Sequence, residues 1–370
     1  MEVLDLDKLE RWYSLNFEKK LKGRRILFDD IFPIIQNLGL KFEKKNIGYS
    51  TSKIPIYKIT VGDGNMKVLL WSQMHGNEST GTKALFDLFK FFNCTDVSLK
   101  GIAKDILKNC TLVFIPMLNP DGAINFKREN ALDIDLNRDA VDRKAVESNL
   151  LRTELDSFNP KFCFNLHDQR NLFNIKNTKN PATLSFLAPS EDVNRTLTQG
   201  RKETMSVIVA MSNLLKQIIP NQIGRFTDEF YPTATGDNFQ KLGHNTILIE
   251  AGHYKNDHAR EITRKFNFFA LLQGLHYIAT AQEFDNFKPY FDIPDNDMKF
   301  LDVIYHNIKV IENDVTKIVD IGIQRKYKII DDKLVSYDHI EKIGDLSNYC
   351  TYNYINAENV NFRELKLSNS

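Results

Sequence analysis

Only four of the 370 residues are cysteine (Cys94, Cys110, Cys163 and Cys350), scattered along the chain with no CxxC pair. That argues against a disulfide framework or a cysteine metal site and points to reduced thiols. An excess of one charge is also missing: 49 Lys+Arg stand against 48 Asp+Glu, a formal net charge of +1. Without a long-range positive field, no nucleic-acid partner is expected. No apolar run approaches ~18 residues, so nothing reads as a membrane span and no membrane partner is expected. The opening MEVLDLDKLERWYSLN has neither the basic start nor the apolar centre of a secretion signal, so a cytoplasmic setting is the expectation. Internal repeats and low-complexity tracts are absent too. What remains is globular: 42% hydrophobic and 26% charged residues, in a chain long enough to bury a sizeable core.

Hydrophobic periodicity divides the chain into alternating elements. Residues 4–21 read as an amphipathic helix, and 41–71 carry short β-type runs (KNIGY, IPIYKITVG, KVLLW) separated by turn signals. From Asn77 the spacing becomes helical. Further strands are expected at 111–117, 162–166 and 246–250, and helices near 143–157, 191–218 and 260–283. Apolar strands alternating with helices predict an α/β fold with a mostly parallel or mixed central sheet flanked by helices. Around Pro289 and Pro294 the pattern breaks, and 299–362 has β composition with turn signals at Glu312-Asn313-Asp314 and Asp331-Asp332. Two units follow: a main domain over 1–288 and a small β-rich C-terminal domain over 289–370.

Three strand ends carry polar residues. Met74-His75-Gly76-Asn77-Glu78 follows KVLLW, Asn165-Leu166-His167-Asp168 follows FCF, and Glu250-Ala251-Gly252 follows TILI. Ligands of open α/β sheets bind at the carboxyl ends of strands, so these residues are expected to converge. His75, Glu78 and His167 have the His₂Glu composition of a catalytic zinc site, and the glycine between His75 and Glu78 lets both side chains turn toward one point. Zinc would bring the pKa of a bound water toward ~7. Glu250, not needed as a ligand, is the candidate general base. The bland alternatives are structural, hydrogen-bonded histidines and a chance HxxE. His276, mid-helix among apolar residues, is expected to be packed; His253 and His258 lie near Glu250 and are expected to be bland.

Between these groups lie Asn119-Pro120-Asp121-Gly122, Arg128-Glu129-Asn130 and Asp133-Ile134-Asp135-Leu136-Asn137-Arg138. With HGNE before them and the later LH and Glu strand ends, the order of motifs resembles the zinc carboxypeptidases of the M14 (carboxypeptidase A-like) family, from about Ile47 to Gly252. The resemblance implies one zinc ion per chain on His75, Glu78 and His167, with Glu250 as base and Arg128 as oxyanion stabiliser. It implies Asn137 and Arg138 as the clamp for a substrate's terminal carboxylate, a task for which a planar guanidinium is suited. Asp135 matches a position that hydrogen-bonds a ligand histidine. A mobile tyrosine covering the substrate matches Tyr231, with Tyr254 as its competitor. Asp168-Gln169-Arg170 is more charged than usual for the family, fitting either a contact for acidic substrates or a rim salt bridge.

The expected activity is therefore a zinc-dependent metallocarboxypeptidase acting on peptides with a free carboxylate. The alternatives are an N-acyl-amino-acid deacylase resembling succinylglutamate desuccinylase and aspartoacylase, a cell-wall peptide amidase, and a zinc-retaining pseudoenzyme that binds peptide C-termini. A digestive role is not expected, since no activation propeptide is visible.

Overall fold

The structure, a computed structural model, describes residues 2–312 and 315–358. At its centre is an eight-stranded sheet of β1 (Glu43–Tyr49), β2 (Pro55–Val61), β3 (Met66–Ser72), β4 (Cys110–Ile115), β5 (Phe162–Asp168), β6 (Leu184–Leu187), β7 (Ile223–Arg225) and β8 (Asn245–Ala251). Across the sheet the order is β1-β2-β4-β3-β5-β8-β6-β7. The central strands β4, β3, β5 and β8 run parallel, while β2 and β6 pair antiparallel with their inner neighbours. The helices are α1 (Leu6–Asn16), α2 (Phe28–Gln36), α3 (Thr80–Phe92), α4 (Lys100–Asn109), α5 (Pro120–Asn125), α6 (Val146–Phe158), α7 (Gln199–Leu215), α8 (Thr235–Lys241) and α9 (Glu261–Thr280). This is the expected class, an α/β fold with a mixed central sheet flanked by helices and a β region at its C-terminal end.

Strand periodicity sorts the side chains between two cores. On β3, Val68 and Leu70 join the core built with α1 to α4, α7 and α9, whereas Leu69 and Trp71 join the one built with α6 and α8. Both faces are covered, which is why the central strands read as continuous apolar runs. The N-terminal segment is tied down by a buried ion pair. Arg264 of α9 grips Asp87 of α3 at 2.6 and 2.7 Å and donates to the carbonyls of Glu18 and Leu21. Removing one partner would strand a buried charge, at a cost of about 3–5 kcal/mol.

A second sheet contains β9 (Val303–Glu312), β10 (Val315–Ile330), β11 (Lys333–Gly344) and β12 (Tyr354–Asn356), in the order β11-β10-β9-β12. Asp331 and Asp332, both at positive φ, make the tight turn between β10 and β11. Between the sheets, Tyr290 and Ile293 belong to the main core, Asp295 pairs with Arg225 at 2.9 Å, and Asn296 donates to Ser185 at 2.9 Å. Chain on both sides of the 288/289 division is thus packed on the main body. The expected turn residues Asn313 and Asp314, and residues 359–370, lie outside the described residues. Among the described residues no helix is long and apolar enough to cross a membrane.

Candidate metal centre

β3, β5 and β8 are neighbours, and their carboxyl ends bring the three polar strand ends together. Ser72 pairs with Leu166, and His167 lies directly opposite Glu250. His75, Glu78 and His167 are all buried. Nδ1 of His75 is 2.9 Å from Glu78 Oε1, Nδ1 of His167 is 2.8 Å from Glu78 Oε2, and the two Nδ1 atoms are 3.1 Å apart. Ligands of a tetrahedral ion bound at 2.0–2.1 Å stand about 3.3 Å from one another. The three side chains therefore fit a single zinc ion in both composition and spacing.

The local chain is built to aim them. Gln73, the residue after β3, adopts a left-handed backbone at φ 49°, held by its amide donating to the Ile26 and Gly76 carbonyls at 2.9 Å each. A non-glycine residue in that conformation needs such overdetermination. Gly76 passes so close to α5 that a Cβ would stand 2.0 Å from the Gly122 carbonyl carbon, so no side chain fits there. Asn119 caps α5 through Gly122 N and donates to the carbonyls of Met74 and Arg128. The Asn-Pro-Asp-Gly turn thereby clamps the backbone that presents His75.

Asp135 organises the next layer. Its Oδ1 faces His75 Nε2 at 3.1 Å and accepts from Asn137 N at 2.9 Å, while Oδ2 accepts from Arg128 Nε at 2.9 Å. A carboxylate on the outer nitrogen fixes the ring's orientation and directs the other nitrogen inward. Burial disfavours charge on Asp135, but the His75 and Arg128 contacts overcome it and hold its pKa below the usual carboxylate range. At Glu78 burial is likewise outweighed, here by the two imidazoles, and its pKa lies well below normal. His167 goes the other way: burial dominates and keeps its imidazole toward the neutral, ligating form. Its Nε2 is buried with no protein partner among the described residues.

Glu250 is half-buried beside this cluster. Burial, then the charges of Glu78 and Asp168, push its pKa well above the carboxylate range. Arg128 Nη1 lies 3.1 Å from His75 Nδ1 and 3.6 Å from Glu78 Oε1, with the side chain 38% exposed toward the cleft. Asn137 and Arg138 form a short 3₁₀ turn capped by Asp135. Asn137 Oδ1 accepts from Thr235 N at 3.0 Å, and its amide nitrogen has no acceptor among the described residues. Arg138 lies 5.9 Å from the ring of Tyr231, itself 49% exposed, so these three residues form one group. The competitor Tyr254 packs its ring on Phe266, 5.6 Å away. Asp168 is committed to Arg260 at 3.2 Å and Thr80 at 2.7 Å, whereas Arg170 is exposed.

Two contributions escaped sequence reasoning. One is Gln73, whose strain has no composition signal. The other is the wall opposite the cluster, made by Arg325, Tyr327, Tyr337 and Glu341 of the second sheet. Two imidazoles and a carboxylate gathered at the ends of adjacent parallel strands, with an unligated glutamate beside them, form a candidate mononuclear metal site on an α/β scaffold.

Comparison with known proteins agrees. The zinc carboxypeptidase family model matches residues 41–218, a span that includes His75, Glu78, Arg128, Asn137, Arg138 and His167 and stops before Tyr231 and Glu250. Over that span, just under half of the chain, the sequence is similar to the zinc carboxypeptidase family. It is 33% identical over 104 residues to carboxypeptidase SOL1 of Arabidopsis thaliana, a match covering 26% of this chain and 21% of that protein. The chain thus spans about a fifth of that relative's length. In fold it is similar to carboxypeptidase A of Helicoverpa armigera (TM-score 0.54, 14% identity, 75% of this chain and 81% of that one). It is also similar to a metallo-carboxypeptidase of Burkholderia cenocepacia (TM-score 0.53, 15% identity, 67% of each chain).

Proposed function

We propose that the protein is a zinc-dependent metallocarboxypeptidase that hydrolyses the C-terminal peptide bond of peptides. The observation that carries this is one convergence: three ligating side chains within 4.8 Å of one another, with Glu250 paired directly opposite His167. His75, Glu78 and His167 hold the ion, and Asp135 keeps His75 in the ligating orientation. When bound, zinc would polarise the scissile carbonyl and acidify water.

The remaining work falls to the chain's own residues. Arg138 grips the substrate's terminal carboxylate with paired hydrogen bonds, Asn137 adds a neutral amide donor, and Tyr231 covers the terminal side chain. Glu250 takes the proton of the attacking water and passes it to the leaving amine. Its raised pKa suits a group that must hold that proton between the two steps. Arg128 supplies fixed positive charge where the carbonyl oxygen becomes negative. The four cysteines are all unpaired, which favours a reducing compartment such as the cytoplasm.

The test is mass spectrometry of a mixed peptide library after incubation with zinc-loaded protein. The expected product is loss of single C-terminal residues, stopped by a chelator, restored by zinc, and absent for amidated peptides. Equal cleavage of amidated and free peptides contradicts the clamp. Turnover of N-acyl amino acids with no peptide cleavage would assign the site to a deacylase instead.

A further inference from the structure

A cavity of about 370 Å³ opens beside the metal cluster. Glu78 and Arg128 line it, and Asn137, Arg138 and Tyr231 do not. A peptide whose terminal carboxylate sits on Arg138 and whose last bond lies at the cluster therefore has this cavity available for the residues that precede that bond. Its far wall is supplied by β10 and β11, so the C-terminal sheet forms part of the site.

The lining is strongly basic, and its charges can be accounted for one by one. Asp168 is matched by Arg260 at 3.2 Å, Glu341 by Lys326 at 3.5 Å, and Arg128 by Asp135 at 2.9 Å. Glu78 belongs to the metal cluster. Three guanidiniums are left over: Arg24, Arg170 and Arg325. Among the described residues none of them has a carboxylate within ion-pair distance. The Arg24 side chain lies over the ring of Tyr327 at 4.9 Å, and Arg325 donates to Nε2 of His258 at 3.0 Å. Arg170 is exposed and, among the described residues, has no hydrogen-bond or ion-pair partner. Three unpaired cations from three chain segments around one partly enclosed space repel one another, and low-dielectric walls concentrate their field on whatever enters. Only an anion relieves that repulsion, and guanidiniums are shaped for carboxylates.

We propose that this cavity selects peptides with an acidic side chain on the amino side of the cleaved bond, the carboxylate pairing with Arg170, Arg325 and Arg24. The proposal rests on the carboxypeptidase assignment, and it makes the C-terminal sheet a specificity wall.

The test uses matched peptides with one C-terminal residue and Glu, Gln or Lys immediately before it. Wild-type protein should favour Glu over Gln by about tenfold or more in kcat/KM at low ionic strength, with Lys poorest, and the preference should shrink at about 0.5 M salt. Arg170→Glu and Arg325→Glu should each bring the Glu/Gln ratio to about one or invert it. Arg170 and Arg325 lie on separate segments, so a fold defect in one variant leaves the other informative. Binding of a dye-labelled Glu-containing peptide to Glu250→Gln protein, read by anisotropy, should weaken when either arginine is reversed. A Glu/Gln ratio under about two in the wild type, or one unmoved in both variants, overturns the proposal. Charge-dependent binding with no cleavage of any peptide would leave the basic, anion-selecting cavity standing and remove the carboxypeptidase assignment.

Discussion

β3, β5 and β8, which carry the metal-cluster residues at their ends, are buried along most of their length, whereas β10 and β11 across the cavity are largely half-exposed or exposed. On the first side, strand alternation decides where His167 and Glu250 point, and Gln73, Asn119 and Asp135 each hold a candidate ligand or its backbone in place. Side-chain contacts help seat the second side. Arg25 reaches Asp332 at 2.8 Å, with the Asp332 side chain 85% exposed. Phe126 meets Tyr327 edge-on at 5.9 Å, and the His253 ring packs on Phe300 at 4.4 Å. On the proposed function, the chemistry would sit where the chain is held most firmly, and selectivity where residues can be exchanged at small cost in stability.

The contrast can be broken first at the rigid side. Glu250→Gln should keep stoichiometric zinc while kcat falls by about 10²–10⁴-fold; undiminished turnover would remove Glu250 from its role. Asp135→Asn should weaken zinc binding by about 10–100-fold, read by competition with a chromogenic chelator, because His75 loses its orienting carboxylate.

The softer side should answer to pH. Burial, then the charge of Arg260, depress the pKa of His253 to about 3. An unfolded histidine protonates near pH 6.5, so the stability linked to His253 is complete above that pH and is lost as pH falls toward 3. At pH 4.5 the loss is about 2–3 kcal/mol. His253→Gln should flatten the melting-temperature change between pH 7.5 and 4.5, and an unchanged slope would contradict the account of this contact. The smallest effect is expected for Tyr327→Ala, which loses the Arg24 and Phe126 contacts, worth about 1 kcal/mol together. It should increase proteolysis at the Asp331–Asp332 turn and leave zinc content alone. Reduced zinc would mean that the two sides are not separable.

What could be read in advance follows the same division. His75, Glu78, His167 and Glu250 were legible because polar residues at the ends of apolar strands have few structural uses, and Asp135, Asn137 and Arg138 because they fall in an ordered series of family motifs. Helix α1 was placed but overextended: it stops at Asn16, where the sequence suggested continuation to 21. Helix α2 was missed since Pro33 sits inside it and it has nine residues, too few for a clear period. Strands β6 and β7, of four and three residues, owe their pairing to neighbours rather than to their own pattern. The C-terminal β composition was readable, but strand alternation states only which residues share a face. That Arg325 and Tyr327 look into the cavity depends on how one sheet sits on the other, which no local pattern encodes.

The central claim, that two imidazoles and one carboxylate hold a single ion, is tested most directly by elemental analysis after exhaustive dialysis. Wild-type protein should retain close to one zinc per chain, and His167→Ala and Glu78→Ala should each retain about a tenth or less while circular dichroism stays native. Wild-type protein that takes up no zinc, or folded variants that keep it in full, would contradict the account.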